Sequence, residues 1–182
     1  MLIAMNEVKI LDKTFRELIS ELAIRKRIDE IALQINRDCI GSEVIFVGIL
    51  NGAFMFAADL FRKIDLTARI TFVKLASYQG ISSSGSIKEL IGWNEDLVNK
   101  RVLVVEDIVD TGATLERTVN ELVIRNVADI KIVTMLLKPT AYTRDIPINY
   151  IGFEIPNKFV VGYGLDYNGF GRNLPSIYSL VR

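Results

Sequence analysis

The 182-residue chain has no histidine, so no imidazole is available to activate a nucleophile. Its single cysteine, Cys39, cannot form an internal disulfide, which fits a reducing compartment. Cys39 closes a helical apolar pattern and is expected to pack rather than react. There is no excess of either charge: 22 Lys and Arg balance 22 Asp and Glu. No global field therefore draws the protein to nucleic acid or to an anionic membrane. No apolar run approaches the roughly 20 residues of a membrane helix, and Met1 to Asn6 is too short and uncharged for a secretory signal. A cytoplasmic protein with neither membrane nor nucleic-acid partner is expected. The G-x-G-x-x-G of dinucleotide sites and the G-K-[ST] of P-loops are both missing. No internal repeat or linker is visible, and a 50% hydrophobic composition suits one core, hence one domain over residues 1–182.

What is present alternates between helical and strand-like patterns. From Ser20 to about Cys39, apolar residues recur at helical spacing, and Gly41-Ser42 ends the run. Val44 to Leu50 is nearly continuous in apolar residues, as expected of a strand buried on both faces. A helix over Ala53 to Ile64 and a strand over Arg69 to Ala76 follow. Strand Arg101 to Val105, helix Leu115 to Asn126 and strand Ile130 to Leu137 continue the alternation, and Tyr150 to Ile155 and Lys158 to Val161 add two short strands. Strands alternating with helices predict an α/β fold with a mainly parallel sheet. Ser77 to Glu89 is small, polar and glycine-bearing, and reads as a solvated loop or as a mobile lid.

The most informative stretch is Val104 to Leu115, VVEDIVDTGATL. An apolar strand runs into Glu106 and Asp107, then Asp110, then a Thr111-Gly112-Ala113-Thr114 turn that opens a helix. Ligands of open parallel sheets bind beyond the carboxyl ends of the strands. Adjacent carboxylates on an extended chain point apart, so Glu106 and Asp107 are expected to serve different partners. Such acceptors suit ribose hydroxyls, directly or through Mg2+, which prefers oxygen ligands. The turn offers hydroxyls and backbone N–H groups at a helix N-terminus, which favours a phosphate.

This stretch resembles the phosphoribosyl-pyrophosphate (PRPP) motif of type I phosphoribosyltransferases. Lys138, the run Phe159 to Tyr167 and Arg172-Asn173-Leu174-Pro175 are similar to the C-terminal signature of the hypoxanthine–guanine branch. Leu50-Asn51-Gly52 falls at that family's pyrophosphate loop, and Ser77-Tyr78 at the start of its catalytic lid. The resemblance implies a type I phosphoribosyltransferase (Rossmann-like) core over about 40–140, a mainly parallel sheet flanked by helices, and a small hood from the N-terminal part and about 141–182.

It also implies roles. Glu106 and Asp107 would hold the ribose hydroxyls, and Asp110, Thr111, Gly112, Ala113 and Thr114 the 5-phosphate. Asp110 would exchange a proton with purine N7, and Lys138 would meet the C6 oxygen. Phe159 would stack on the base, with the Val160 backbone at its edge. Asn51, Gly52 and Arg172 would face pyrophosphate, and Mg2+ would lie among Glu106, Asp107 and Asp166. A cis peptide at Leu50-Asn51 is implied too, as is a homodimer or homotetramer. Asn51 stands where many members have lysine, and Ala113 where some have a larger or basic residue.

The implied reaction is purine salvage: transfer of phosphoribosyl from PRPP to N9 of hypoxanthine or guanine, giving IMP or GMP and pyrophosphate. Two alternatives stand beside it, a non-catalytic PRPP or nucleotide sensor and a transferase for another base such as xanthine. Plainer readings also exist for single residues. Lys138 would end a strand in solvent, Phe159 would be core, and Asp166 and Arg172 would form a surface ion pair.

Overall fold

The computed structural model describes residues 6–75, 89–93 and 95–181. The strands and helices, in chain order, are β1 (Glu7–Ile10), β2 (Lys13–Ile19), α1 (Glu21–Asp38), β3 (Val44–Ile49), α2 (Phe54–Phe61), β4 (Ala68–Leu75), β5 (Glu89–Ile91), β6 (Arg101–Val109), α3 (Ala113–Ile124), β7 (Asp129–Leu137), β8 (Tyr150–Glu154), β9 (Val160–Val161) and β10 (Ile177–Leu180).

The larger sheet has the order β5-β4-β3-β6-β7-β8. Strands β4 to β8 in that row, apart from β5, pair in parallel, and β5 runs antiparallel at the edge. Every residue of β3 is buried, because helices cover both faces. Alternation along the strand sorts its side chains. Val44 and Phe46 join Ile24, Ile28, Ile31 and Ile35 of α1 and Phe56 and Leu60 of α2. Ile45, Val47 and Ile49 join Leu115 and Leu122 of α3 on the other face. Ser20 caps α1, accepting from the Ala23 N–H at 3.3 Å. Truncating a fully buried contact such as Ile31 to alanine would cost about 2–5 kcal/mol.

The acidic pair does not lie past the strand, as the sequence suggested. β6 continues to Val109. On one side β7 pairs with it as far as Val109↔Leu137, whereas the β3 pairing stops at Gly48↔Val105. Beyond Val105 one edge of β6 is therefore unpaired by β3, and the chain leaving β3 turns across it.

A smaller antiparallel sheet, β1-β2-β10-β9, joins the two ends of the chain. Its core is Ile10, Phe15, Val161 and Tyr178. Sequence reading missed β1, β2 and β10. Tyr150–Glu154 belongs to the larger sheet. Cys39 is buried in the main core, as expected of a packing residue. Among the described residues no helix is long and apolar enough to cross a membrane.

Candidate active site

The site is built where β6 ends. Residues Glu106 and Ile108 to Leu115 line a cavity of about 80 Å³. Gly112 sits at the N-terminus of α3 with φ +83°, a left-handed turn that glycine adopts without a Cβ penalty. The Glu116 N–H donates to the Gly112 carbonyl at 2.9 Å, starting the helix. Ala113 N–H makes only a long bond, 3.4 Å, to Thr111 Oγ1. Thr111, Ala113 and Thr114 are exposed. This is an anion-sized concavity lined by backbone donors at the positive end of a helix dipole.

Glu106 is buried and folds back on its own backbone, with Oε1 accepting the Asp107 N–H at 3.3 Å. Its Oε2 is buried without a hydrogen-bond partner. Burial, then the neighbouring Asp107 charge, pushes the Glu106 carboxyl well above the usual range. Asp107 is raised too, by burial. Interaction with the Glu106 carboxyl, the hydrogen bond from the Ile108 N–H (2.8 Å to Oδ1) and the Arg172 charge oppose that rise.

The Leu50-Asn51 peptide is cis, and it turns the chain onto this acidic edge. A Cβ added at Gly52 would fall 1.5 Å from Asp107 Oδ2, so only glycine fits beside that carboxylate. A Cβ on Gly164, which has φ +99°, would fall 2.1 Å from the Gly52 carbonyl. The Asn51-Gly52 loop is thus clamped between Asp107 and the turn after β9.

Lys138 does not end its strand in solvent. It is buried, its N–H donates to the Val109 carbonyl at 2.9 Å, and Nζ lies 2.6 Å from Asp110 Oδ2. Phe159 is not core: it is 47% exposed, an apolar ring left facing open space. It is held from behind by Phe15 at 6.3 Å and edge-on by Tyr167 at 6.0 Å. Val160 is buried in β9. Asp166 and Arg172 do pair, at 2.5 Å, and Arg172 Nη1 also donates to the Gly164 carbonyl at 2.6 Å. Asp166 Oδ2 accepts from the Gly169 N–H at 2.6 Å. Ser77 and Tyr78 lie outside the described residues.

Residues 16–168 match the phosphoribosyl transferase domain. The chain belongs to the phosphoribosyltransferase family. It is 40% identical over 172 residues to the hypoxanthine phosphoribosyltransferase of Salmonella typhimurium, a match covering 92% of this chain and 96% of that one. It is 38% identical over 176 residues to the hypoxanthine-guanine phosphoribosyltransferase of Aquifex aeolicus, covering 96% and 98%. A crystal structure of a Bacillus anthracis hypoxanthine-guanine phosphoribosyltransferase superposes with a TM-score of 0.85 at 38% identity, covering 97% of this chain and 99% of that one. The type I phosphoribosyltransferase fold expected from the resemblance is the fold observed.

Sequence reading missed the segment that backs the Thr111-Gly112-Ala113-Thr114 turn of this phosphoribosyltransferase. A Cβ on Gly112 would meet the Tyr142 ring at 2.5 Å and Arg144 Cγ at 2.8 Å. Thr143 Oγ1 donates to the Thr111 carbonyl at 3.4 Å, and Arg144 Nε stands 3.3 Å from Glu116 Oε2. The Arg144 charge offsets Glu116, an acid in the first turn of α3 facing the same helix end. The only sequence signal was proximity to Lys138, which did not say where the chain would turn. Among the described residues no three His, Cys, Asp or Glu side chains converge as a metal cage.

Proposed function

We propose that this phosphoribosyltransferase transfers the phosphoribosyl group of PRPP to N9 of hypoxanthine or guanine. The products would be IMP or GMP and pyrophosphate. The observation that carries this reading is the buried Lys138 ammonium held 2.6 Å from Asp110 at the mouth of the phosphate loop. A fixed cation favours the C6 oxygen of a 6-oxo purine and disfavours the 6-amino group of adenine, which offers a donor instead. The names of the curated relatives support the same substrate class.

In this mechanism the C1–O bond to pyrophosphate breaks as purine N9 bonds to C1, and the proton on N7 passes to the Asp110 carboxylate. Thr111 to Thr114 hold the 5-phosphate through backbone N–H groups and hydroxyls. Glu106 and Asp107 accept from the ribose hydroxyls. Arg172 neutralises the departing pyrophosphate, Asn51 and Gly52 meet it through their backbone, and Phe159 stacks on the base. Val160 contacts the purine edge through its backbone.

Mg2+ fits this donor set as an ion that arrives with PRPP. Such sites use one or two carboxylates together with substrate phosphates rather than a full protein cage. The partnerless Glu106 Oε2 and the carboxylates of Asp107 and Asp166 would hold it. When bound it supplies positive charge to the pyrophosphate oxygens. Exposed Leu22 and Leu33 on α1 and Ile40 just beyond it support self-association as a homodimer or homotetramer. The balanced charge supports small-molecule partners rather than nucleic acid or membrane, and a cytoplasmic setting suits the lone buried cysteine.

The deciding experiment mixes the protein, PRPP and Mg2+ with hypoxanthine, guanine, xanthine or adenine and follows pyrophosphate release. Turnover with the 6-oxo purines alone is expected. Silence with every base would replace this reading by a PRPP sensor.

A further inference from the structure

Tyr163 is a buried tyrosine whose backbone occupies the left-handed region, at φ +48°, although it is not glycine. Such a conformation is unfavourable for a residue with a Cβ and persists only where the surroundings hold it. Here the holding is explicit. Tyr163 N–H donates to the Leu174 carbonyl at 2.8 Å, and the next N–H, of Gly164, to the Arg172 carbonyl at 3.0 Å. The side chain crosses to another element, where its Oη donates to Asp59 Oδ2 at 2.7 Å. Burial and the Asp59 carboxylate raise the phenol further above its ordinary value, so it remains a donor at all physiological pH.

Asp59 lies on α2, the helix that follows the Asn51-Gly52 loop. Gly164, adjacent to Tyr163, touches the Gly52 carbonyl closely enough to exclude a Cβ. Two consecutive residues of one turn therefore grip both the loop and the helix behind it. The same turn is tied to Arg172 through the Gly164 carbonyl, and Arg172 pairs with Asp166. The base-facing groups have anchors of their own: Lys138 to Val109 and Asp110, Phe159 to Phe15 and Tyr167, and Val160, although close in sequence to Tyr163, through the pairing of β9 with β10.

We propose that Tyr163 and Asp59 are a positioning pair for the pyrophosphate half of the site. Their hydrogen bond sets where the Asn51-Gly52 loop stands relative to Arg172 and Asp166, and so governs engagement of PRPP and pyrophosphate but not of the purine. The inference rests on the phosphoribosyl-transfer reading above.

The test uses the full chain with Tyr163→Phe, which keeps the ring and removes only the hydroxyl. The KM for PRPP should rise about tenfold, the loss expected for a hydrogen bond to a carboxylate. Inhibition by added pyrophosphate should weaken by the same factor, while the KM for hypoxanthine stays within about twofold. Asp59→Ala should match it, and combining the two should add nothing further. Asp59→Asn, whose amide oxygen still accepts from the phenol, should restore the KM for PRPP. Equal rises in both KM values, a lowered Tm with no change in either, or failure of Asp59→Asn to restore would each overturn the pairing. A wild-type protein that releases no pyrophosphate with any base would instead defeat the underlying reading. Direct PRPP titration of the same variants would then still read the pair, and unchanged affinity would reject it.

Discussion

Lys138 Nζ lies 2.6 Å from Asp110 Oδ2, joining the residue after β7 to the turn after β6. Lys138 is buried while Asp110 is about half exposed, so the pair has one fixed and one accessible end. That asymmetry suits a cation that stays in place while the carboxylate exchanges a proton with a ligand.

Asp110→Ala should lower kcat by about a hundred- to ten-thousand-fold, the usual range for loss of a positioned general base. The KM for PRPP should change far less. Steady-state pyrophosphate release measures this, and near-normal turnover would remove Asp110 from its assigned role.

Lys138→Ala should reduce kcat/KM for hypoxanthine by about 10- to 100-fold, the scale of a lost charged hydrogen bond. The KM for PRPP should hold within about twofold. Side-by-side assays with hypoxanthine and adenine test it, since the preference for the 6-oxo base should shrink. An unchanged ratio would mean that Lys138 does not read C6.

Gly52→Ala should impair PRPP binding more than folding. The added methyl would meet Asp107 Oδ2 at 1.5 Å, so either the loop or the carboxylate must shift. Calorimetric titration with PRPP should show affinity down at least about tenfold, with a stability change of about 1–3 kcal/mol typical of local overpacking. Normal PRPP affinity would show that the clamp is slack.

The raised Glu106 carboxyl gives a pH dependence of defined sign. The folded protein holds this proton more tightly than the unfolded chain, whose value is near 4.5. Between the two values the folded state binds more protons, so stability contributed by the group is full below the unfolded value and is lost as pH rises through the folded one. Asp107 acts in the same direction. Glu106→Gln should therefore raise the Tm of the ligand-free protein at neutral pH and flatten its decline above about pH 4.5. Thermal melts of both proteins across that range, compared as differences, decide it, and parallel curves would contradict the assignment.

Much of the larger sheet was legible in the sequence because β3, β6 and β7 are buried on both faces and read as apolar runs. The smaller sheet was not. β2, KTFRELI, buries only Phe15 and Ile19, and while β1 is its neighbour in sequence, its other partner, β10, comes from the far end of the chain, so no local pattern announces that pairing. The motif residues of the site stood out by type and order. Their contacts did not: that Gly52 abuts Asp107, or that Tyr142 backs Gly112, depends on close approach between distant segments. The extension of β6 through Glu106 and Asp107 was missed because acids are poor strand formers, and here pairing with β7 overrides that preference.

The Asp166–Arg172 pair has a consequence for how charge is handled at the pyrophosphate end. On the proposed reading, Arg172 would exchange the Asp166 carboxylate for a phosphate when PRPP binds, and Asp166, freed of the guanidinium, would be available to hold Mg2+. Charges are traded rather than accumulated, so affinity for the metal–PRPP complex should fall less steeply with ionic strength than the number of charged groups suggests.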